Sequence, residues 1–237
     1  MVDILPKVAP EEHRLEPELK VCDPEKTDHT VDMEGWRIMK IMAELVEGFG
    51  LLRKYRLTAS IYGTARMTFN DKVYADAERL AGYLAKSGFA IITGGAGGIM
   101  RSANKGAFEA GGQSVGLNIR LPQEQGGNKF VTEEMTFNYF FTRRVMLAFA
   151  SEVYIFFPGG YGTLDEFFEI LTLVQTNKIK RLPIVCVGRD YWDPLVDYMK
   201  KVLLEKNKAI DPEDLELFVV VDTPEEAYEQ ILKLVKC

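Results

Sequence analysis

The strongest constraint on how this chain can fold is an alternation along its length. Short runs rich in β-branched and aromatic residues fall at 59–62, 90–93, 114–119, 153–157, 182–187 and 218–221. Between most of them lie stretches with helical periodicity, at 72–87, 99–110, 142–150, 163–175, 192–206 and 224–235. Strands that read as near-continuous apolar runs are buried on both faces, and the intervening helices supply the crossovers that parallel pairing requires. The pattern predicts an α/β fold: a Rossmann-like parallel sheet flanked by helices on both faces, as a single domain over residues 31–237. An amphipathic helix is expected across 33–55, where Trp36, Met39, Met42, Val46 and Phe49 recur at three- and four-residue steps. Residues 1–30 carry eight acids, four bases and four prolines, and are expected to form an extended arm.

Composition narrows the chemistry open to such a domain. Only two histidines occur, His13 and His29, both in the arm, which argues against a Ser-His-Asp triad or an H-E-x-x-H metal site in the core. Cys22, Cys186 and Cys237 are scattered, so neither a zinc knuckle nor a disulfide framework is expected. Twenty-nine basic residues against 35 acidic ones give a net charge of -6, which offers no overall field for nucleic acid or an anionic membrane. No apolar run is long enough to span a bilayer, and the first residues lack the apolar centre of a secretory signal, so the cytoplasm is the expected location. Carboxylates, arginines, hydroxyls and backbone N–H groups remain to do the work.

Two glycine-rich turns each follow an expected strand and open an expected helix. One is Thr93-Gly94-Gly95-Ala96-Gly97-Gly98-Ile99-Met100; the other is Pro158-Gly159-Gly160-Tyr161-Gly162-Thr163-Leu164-Asp165-Glu166. Glycine lets backbone approach a ligand, and N–H groups at a helix start attract anions such as phosphate. Neither turn completes G-x-G-x-x-G or a P-loop, which disfavours a dinucleotide dehydrogenase and a P-loop NTPase. Thr163-Leu164-Asp165-Glu166 also fits a capping box, with Thr163 as the cap and Glu166 reaching back, a reading that needs no ligand. Ahead of the second turn, Arg143 and Arg144 are either solvated residues of a helix start or donors aimed at a phosphate or carboxylate.

Arg143-Arg144-x-x-Leu147 together with Pro158-Gly159-Gly160-Tyr161-Gly162-Thr163-x-x-Glu166 resembles the LOG (LONELY GUY) family of phosphoribohydrolases, long labelled lysine decarboxylases. The likeness extends to Gly63-Thr64-Ala65-Arg66, which is similar to the family's G-S-A-R turn, and to Gly94 through Ala107. The long N-terminal extension and Tyr139-Phe140-Phe141 resemble the longer subgroup. Departures from the usual pattern fall at Ala96, Arg101, Arg144 and Phe140-Phe141.

The resemblance implies hydrolysis of the N-glycosidic bond of a nucleoside 5′-monophosphate such as AMP or a cytokinin nucleotide, with Glu166 and Arg143 as catalytic residues. It implies phosphate and substrate binding by Gly63, Thr64, Arg66, Gly94, Gly95, Gly97, Gly98, Arg144, Gly159, Gly160, Gly162 and Thr163. It implies no metal and no cofactor, and a homodimer or larger dimer-based assembly. A non-catalytic nucleotide-binding module of the same fold is the alternative. The decarboxylase label would need pyridoxal phosphate on a Schiff-base lysine. Lys105, near the first glycine turn, is expected on a solvated helix face instead.

Overall fold

The computed structural model describes residues 35–121 and 127–235. The arm expected over 1–30, both histidines, Cys22, Cys237 and most of the polar stretch 122–128 lie outside the described residues. The chain divides after Ile38; of its first part only residues 35–38 are described, and the fold below is that of the second part.

In chain order the elements are α1 (Gly35–Leu52), β1 (Thr58–Tyr62), α2 (Asp71–Lys86), β2 (Ala90–Thr93), α3 (Gly98–Glu109), β3 (Ser114–Ile119) and β4 (Glu133–Phe137). There follow α4 (Phe140–Phe149), β5 (Val153–Phe156), α5 (Tyr161–Gln175), β6 (Ile184–Val187), α6 (Arg189–Tyr198), β7 (Val219–Val221) and α7 (Pro224–Leu234). The strands form one sheet in the order β4-β3-β2-β1-β5-β6-β7, and every adjacent pair runs parallel. This is the α/β parallel sheet expected from the alternation.

Both faces of the sheet are covered, which is why the strands read as apolar throughout. Ala59 and Ile61 of β1, with Val153 and Ile155 of β5, pack against Leu80, Ala103 and Ile231 from α2, α3 and α7. The alternate residues Tyr62, Tyr154 and Phe156 pack against Met146, Phe167 and Trp192 from α4, α5 and α6. Burial of each large side chain contributes roughly 1.5–3 kcal/mol. Local signals set the helix starts: Asn70 Oδ1 accepts from the Lys72 N–H at 3.0 Å, and Thr223 Oγ1 accepts from the Glu226 N–H at 3.2 Å, with Pro224 next in the chain.

Two elements depart from the expected pattern. β4 had no counterpart in the apolar runs, because at the sheet edge only Met135 and Phe137 turn inward while Glu134 and Thr136 face out. The helix expected over 192–206 is α6 followed by a wider π-helical stretch, Met199–Lys206.

Candidate active site

The order of the strands puts a topological switch point at β1 and β5, since the chain leaves β1 toward β2 on one side and reaches β5 on the other. In open parallel sheets ligands bind beyond the carboxyl ends of the strands at such a point. Three turns meet there. The Thr64 N–H donates to the Pro158 carbonyl at 3.1 Å, joining the turn after β1 to the turn after β5. The Ile99 N–H donates to the Thr64 carbonyl at 2.9 Å, joining it to the turn after β2. Gly98 makes that second approach possible: its φ is +56°, and a β-carbon there would drive into the Thr64 carbonyl oxygen. Both glycine-rich turns therefore lie on one rim of the sheet.

Between the turns is a cavity of about 770 Å³. Gly63, Thr64 and Arg66 line it from the first turn, Gly94 from the second, Gly159, Gly160, Gly162, Thr163 and Glu166 from the third, and Arg143 from α4. Gly95, Gly97, Gly98 and Arg144 do not line it. Gly97 and Gly98 instead lie against the backbone of Ala65 and Thr64, where they allow the turns to close on each other.

The capping-box reading of Thr163 is corrected by the helix start. α5 begins at Tyr161 with Gly160 as its N-cap, and its first bond runs from the Leu164 N–H to the Gly160 carbonyl at 3.1 Å. The N–H groups of Tyr161, Gly162 and Thr163 precede that bond, so the helix itself does not consume them. Thr163 folds back over Gly159, where any β-carbon would collide with its Oγ1. Glu166, one turn further, is partly buried on the cavity side. Burial pushes its carboxyl up to about 7, against the pull of Arg143 and, more weakly, of Arg144; the Asp165 charge adds to the rise.

Arg143 is buried, with 9% of its surface exposed. Its Nε donates to the Leu117 carbonyl at 2.7 Å, and Nη2 approaches the Gly94 carbonyl at 3.5 Å. The start of its helix is gripped from α1: the Glu44 carboxylate accepts from the Asn138 N–H at 2.7 Å and from the Thr142 hydroxyl at 2.6 Å. These bonds hold the Glu44 carboxyl below its usual range despite burial. Arg144 points elsewhere, with Nε 2.8 Å from Glu169 and Nη1 3.1 Å from Asp165, tying α4 to α5.

Several neighbours were not among the expected site residues, although Met100, Leu147 and Tyr161 lie within the motifs. Tyr62, Met100, Leu147 and the 95% exposed Tyr161 also line the cavity. An adjoining cavity of about 450 Å³ shares Ala65, Gly94, Met100, Arg143 and Gly162 and is further lined by Asn118, Arg120, Thr136 and Phe140. Behind the second turn, the Asn128 side-chain amide donates to the carbonyls of Gly95 and Ala96 at 3.1 and 3.2 Å and to Asn104 Oδ1 at 2.9 Å. Arg101 lies over the Phe130 ring, outside both cavities. Lys105 pairs with Glu78 at 2.8 Å and Glu109 at 3.8 Å, and among the described residues no lysine lines either cavity.

Known proteins resemble this chain in sequence and in fold. A family model described as possible lysine decarboxylase matches residues 100–231. A probable cytokinin riboside 5′-monophosphate phosphoribohydrolase of Oryza sativa subsp. japonica is 27% identical over 211 residues, which is 86% of this chain and 80% of the relative. A cytokinin riboside 5′-monophosphate phosphoribohydrolase of Rhodococcoides fascians is 27% identical over 135 residues, 54% of this chain and 67% of that one. The fold is shared with the molybdenum cofactor carrier protein of Chlamydomonas reinhardtii, at a TM-score of 0.61 and 20% identity over 76% of this chain and 98% of the other. With the glycine turns, Arg143 and Glu166 on one rim and these relatives in view, the chain belongs to the LOG family, whose model keeps the older lysine decarboxylase description.

Proposed function

We propose that the protein is a phosphoribohydrolase that cleaves the N-glycosidic bond of a nucleoside 5′-monophosphate, AMP or a cytokinin-type nucleotide, to free base and ribose 5-phosphate. The observation that carries the reading is the juxtaposition in one cavity of the α5 N-terminus, Arg143 and the Glu166 carboxyl. The N–H groups at the start of α5 suit a phosphate. Arg66 stands exposed at the rim with no carboxylate paired to it among the described residues, so its charge is available to the same group.

With the phosphate held at that helix start, Glu166 one turn along faces the sugar. As the C1′–N bond breaks, its electron pair leaves with the base and positive charge builds on the ribose, which an ionised Glu166 stabilises. A water oxygen bonds to C1′ and Glu166 takes one of its protons; Glu166 then gives that proton up, through water, to the departing base nitrogen, so it returns to the ionised form and no net proton is consumed. Arg143, held rigidly by Leu117, offsets the negative charge that grows on the base. The adjoining cavity provides room for that base.

The relatives' names support the activity class. The decarboxylase description finds no support among the described residues lining the cavity, none of which is a lysine that could form a Schiff base. Phe140, Phe141 and Phe149 of α4 and Phe168 of α5 are exposed, which supports a homodimer or dimer-based assembly through these helices. Light scattering on the purified chain checks that point. The activity test is incubation with a panel of nucleoside 5′-monophosphates: adenine and ribose 5-phosphate are expected from AMP, and E166Q should release them at least about 100-fold more slowly. Tight binding of AMP without turnover would instead establish a non-catalytic nucleotide-binding module.

A further inference from the structure

We infer that Tyr191 is a positioning residue that latches the phosphate-binding turn, an assignment that rests on the phosphoribohydrolase reading above. The Tyr191 hydroxyl donates to the Gly159 carbonyl at 2.9 Å. In a trans peptide the C=O and the following N–H point in opposite directions, and the described residues contain no cis peptide bond. With the Gly159 carbonyl drawn toward α6, the Gly160 N–H faces the other way; Gly160 itself lines the cavity, and an added β-carbon on it meets nothing within 4 Å. That is the side on which the phosphate would sit.

The latch matters because this peptide lies between two glycines. Without β-carbons on either side, rotating its plane by half a turn meets little steric resistance. The flipped form would present a carbonyl oxygen, and not an N–H, to an incoming dianion. The Tyr191 hydroxyl stabilises one of the two orientations. Its ring is itself well held: the Tyr191 N–H donates to the Gly188 carbonyl at 3.2 Å, and the ring meets the buried Trp192 edge-on at 5.0 Å. Tyr191 lines not the first cavity but a neighbouring one of about 380 Å³ beside Pro158, so its hydroxyl reaches the turn from the side away from the proposed phosphate.

The test is Tyr191→Phe, which keeps the ring and its packing on Trp192 and removes only the donor; an unchanged melting profile verifies the fold. With AMP as substrate, KM is expected to rise about three- to tenfold while kcat changes less than twofold, the size of one lost hydrogen bond. The inhibition constant of ribose 5-phosphate should rise by the same factor, and that of adenosine, which has no phosphate, should stay as in the wild type. Equal KM and inhibition constants in the two proteins would overturn the latch while leaving the activity intact. A parallel loss of affinity for adenosine would also overturn it, because the damage would not be confined to the phosphate. A wild-type protein that neither hydrolyses AMP nor binds ribose 5-phosphate would overturn the underlying reading and the latch with it.

Discussion

Arg143 and Glu166 line the same cavity from two different helices, and the Arg143 guanidinium is the strongest opposing charge acting on the Glu166 carboxyl. Burial outweighs it and leaves that carboxyl at about 7. An exposed glutamate is ionised at every physiological pH, whereas this one exchanges a proton near neutrality, where a general base is most effective.

The pH dependence of hydrolysis follows from that. The ionised form is the working one, so kcat/KM for AMP should climb with pH up to about 7 and level off above it, with about a tenfold fall per pH unit on the acid side. Initial rates from pH 5 to 9 check this. Glu166→Gln should lower kcat at least about 100-fold and remove the acid limb from whatever activity remains. A profile without a limb near 7 would exclude Glu166 as the base.

The same carboxyl carries a stability cost of predictable sign. Its folded value lies above the ordinary 4.5, so its contribution is fully present below about 4.5 and is lost as pH rises through about 7. Glu166→Gln, which cannot ionise, should therefore be more stable than wild type at pH 8, by at most about 3 kcal/mol, and melt at a higher temperature, with the gap closing toward pH 5. Thermal melts of both proteins across that range read it directly. A gap that widens toward acid would reverse the sign and refute the burial account.

Two glycines near the cavity should respond in opposite ways. Gly98→Ala forces a β-carbon onto the Thr64 carbonyl oxygen at a φ of +56°, and should cost about 3 kcal/mol or more, together with most AMP affinity. At Gly160 φ is -103° and a β-carbon has open space, so Gly160→Ala should cost no more than about 1 kcal/mol, the difference between glycine and alanine at an N-cap. It should still weaken AMP binding, because the new methyl stands where the phosphate is proposed to sit. Chemical denaturation and calorimetry separate the two effects.

Arg144 tests where the phosphate contacts end. Its partners are Asp165 and Glu169, and the pair is partly exposed, so Arg144→Ala should cost less than about 1 kcal/mol. Its removal takes a positive charge from the surroundings of Glu166 and should shift the acid limb to higher pH. KM for AMP should change little. A tenfold rise in KM would mean that Arg144 swings away from Asp165 to hold substrate.

The buried strands and the glycine turns could be read in the sequence because both follow from local rules. A strand covered on two faces must be apolar throughout, and close backbone approach excludes a β-carbon, so Val153–Phe156 and Gly97-Gly98 announce themselves. What stayed hidden depends on contacts distant along the chain. The edge strand Glu133–Phe137 alternates with charge and gains its place only by pairing with β3. The start of α5 was misplaced because a Thr-x-x-Glu spacing says nothing of Gly159, over which Thr163 folds. Arg143 and Arg144 are adjacent and chemically alike; only the positions of Leu117 and Glu169 send one into the cavity and the other to a surface ion pair. Tyr191 had no motif at all, since its partner is a carbonyl.

The adjacency of β1 and β5 has a kinetic meaning. Three strands and three helices separate them in the chain, yet the Thr64–Pro158 bond at the rim forms only once they lie side by side. Half-assembled molecules, whether nascent on the ribosome or recovering from denaturant, would hold glycine turns with nothing to face. Regained turnover should consequently lag behind regained helicity, making catalysis itself a late clock for the maturation of the whole sheet.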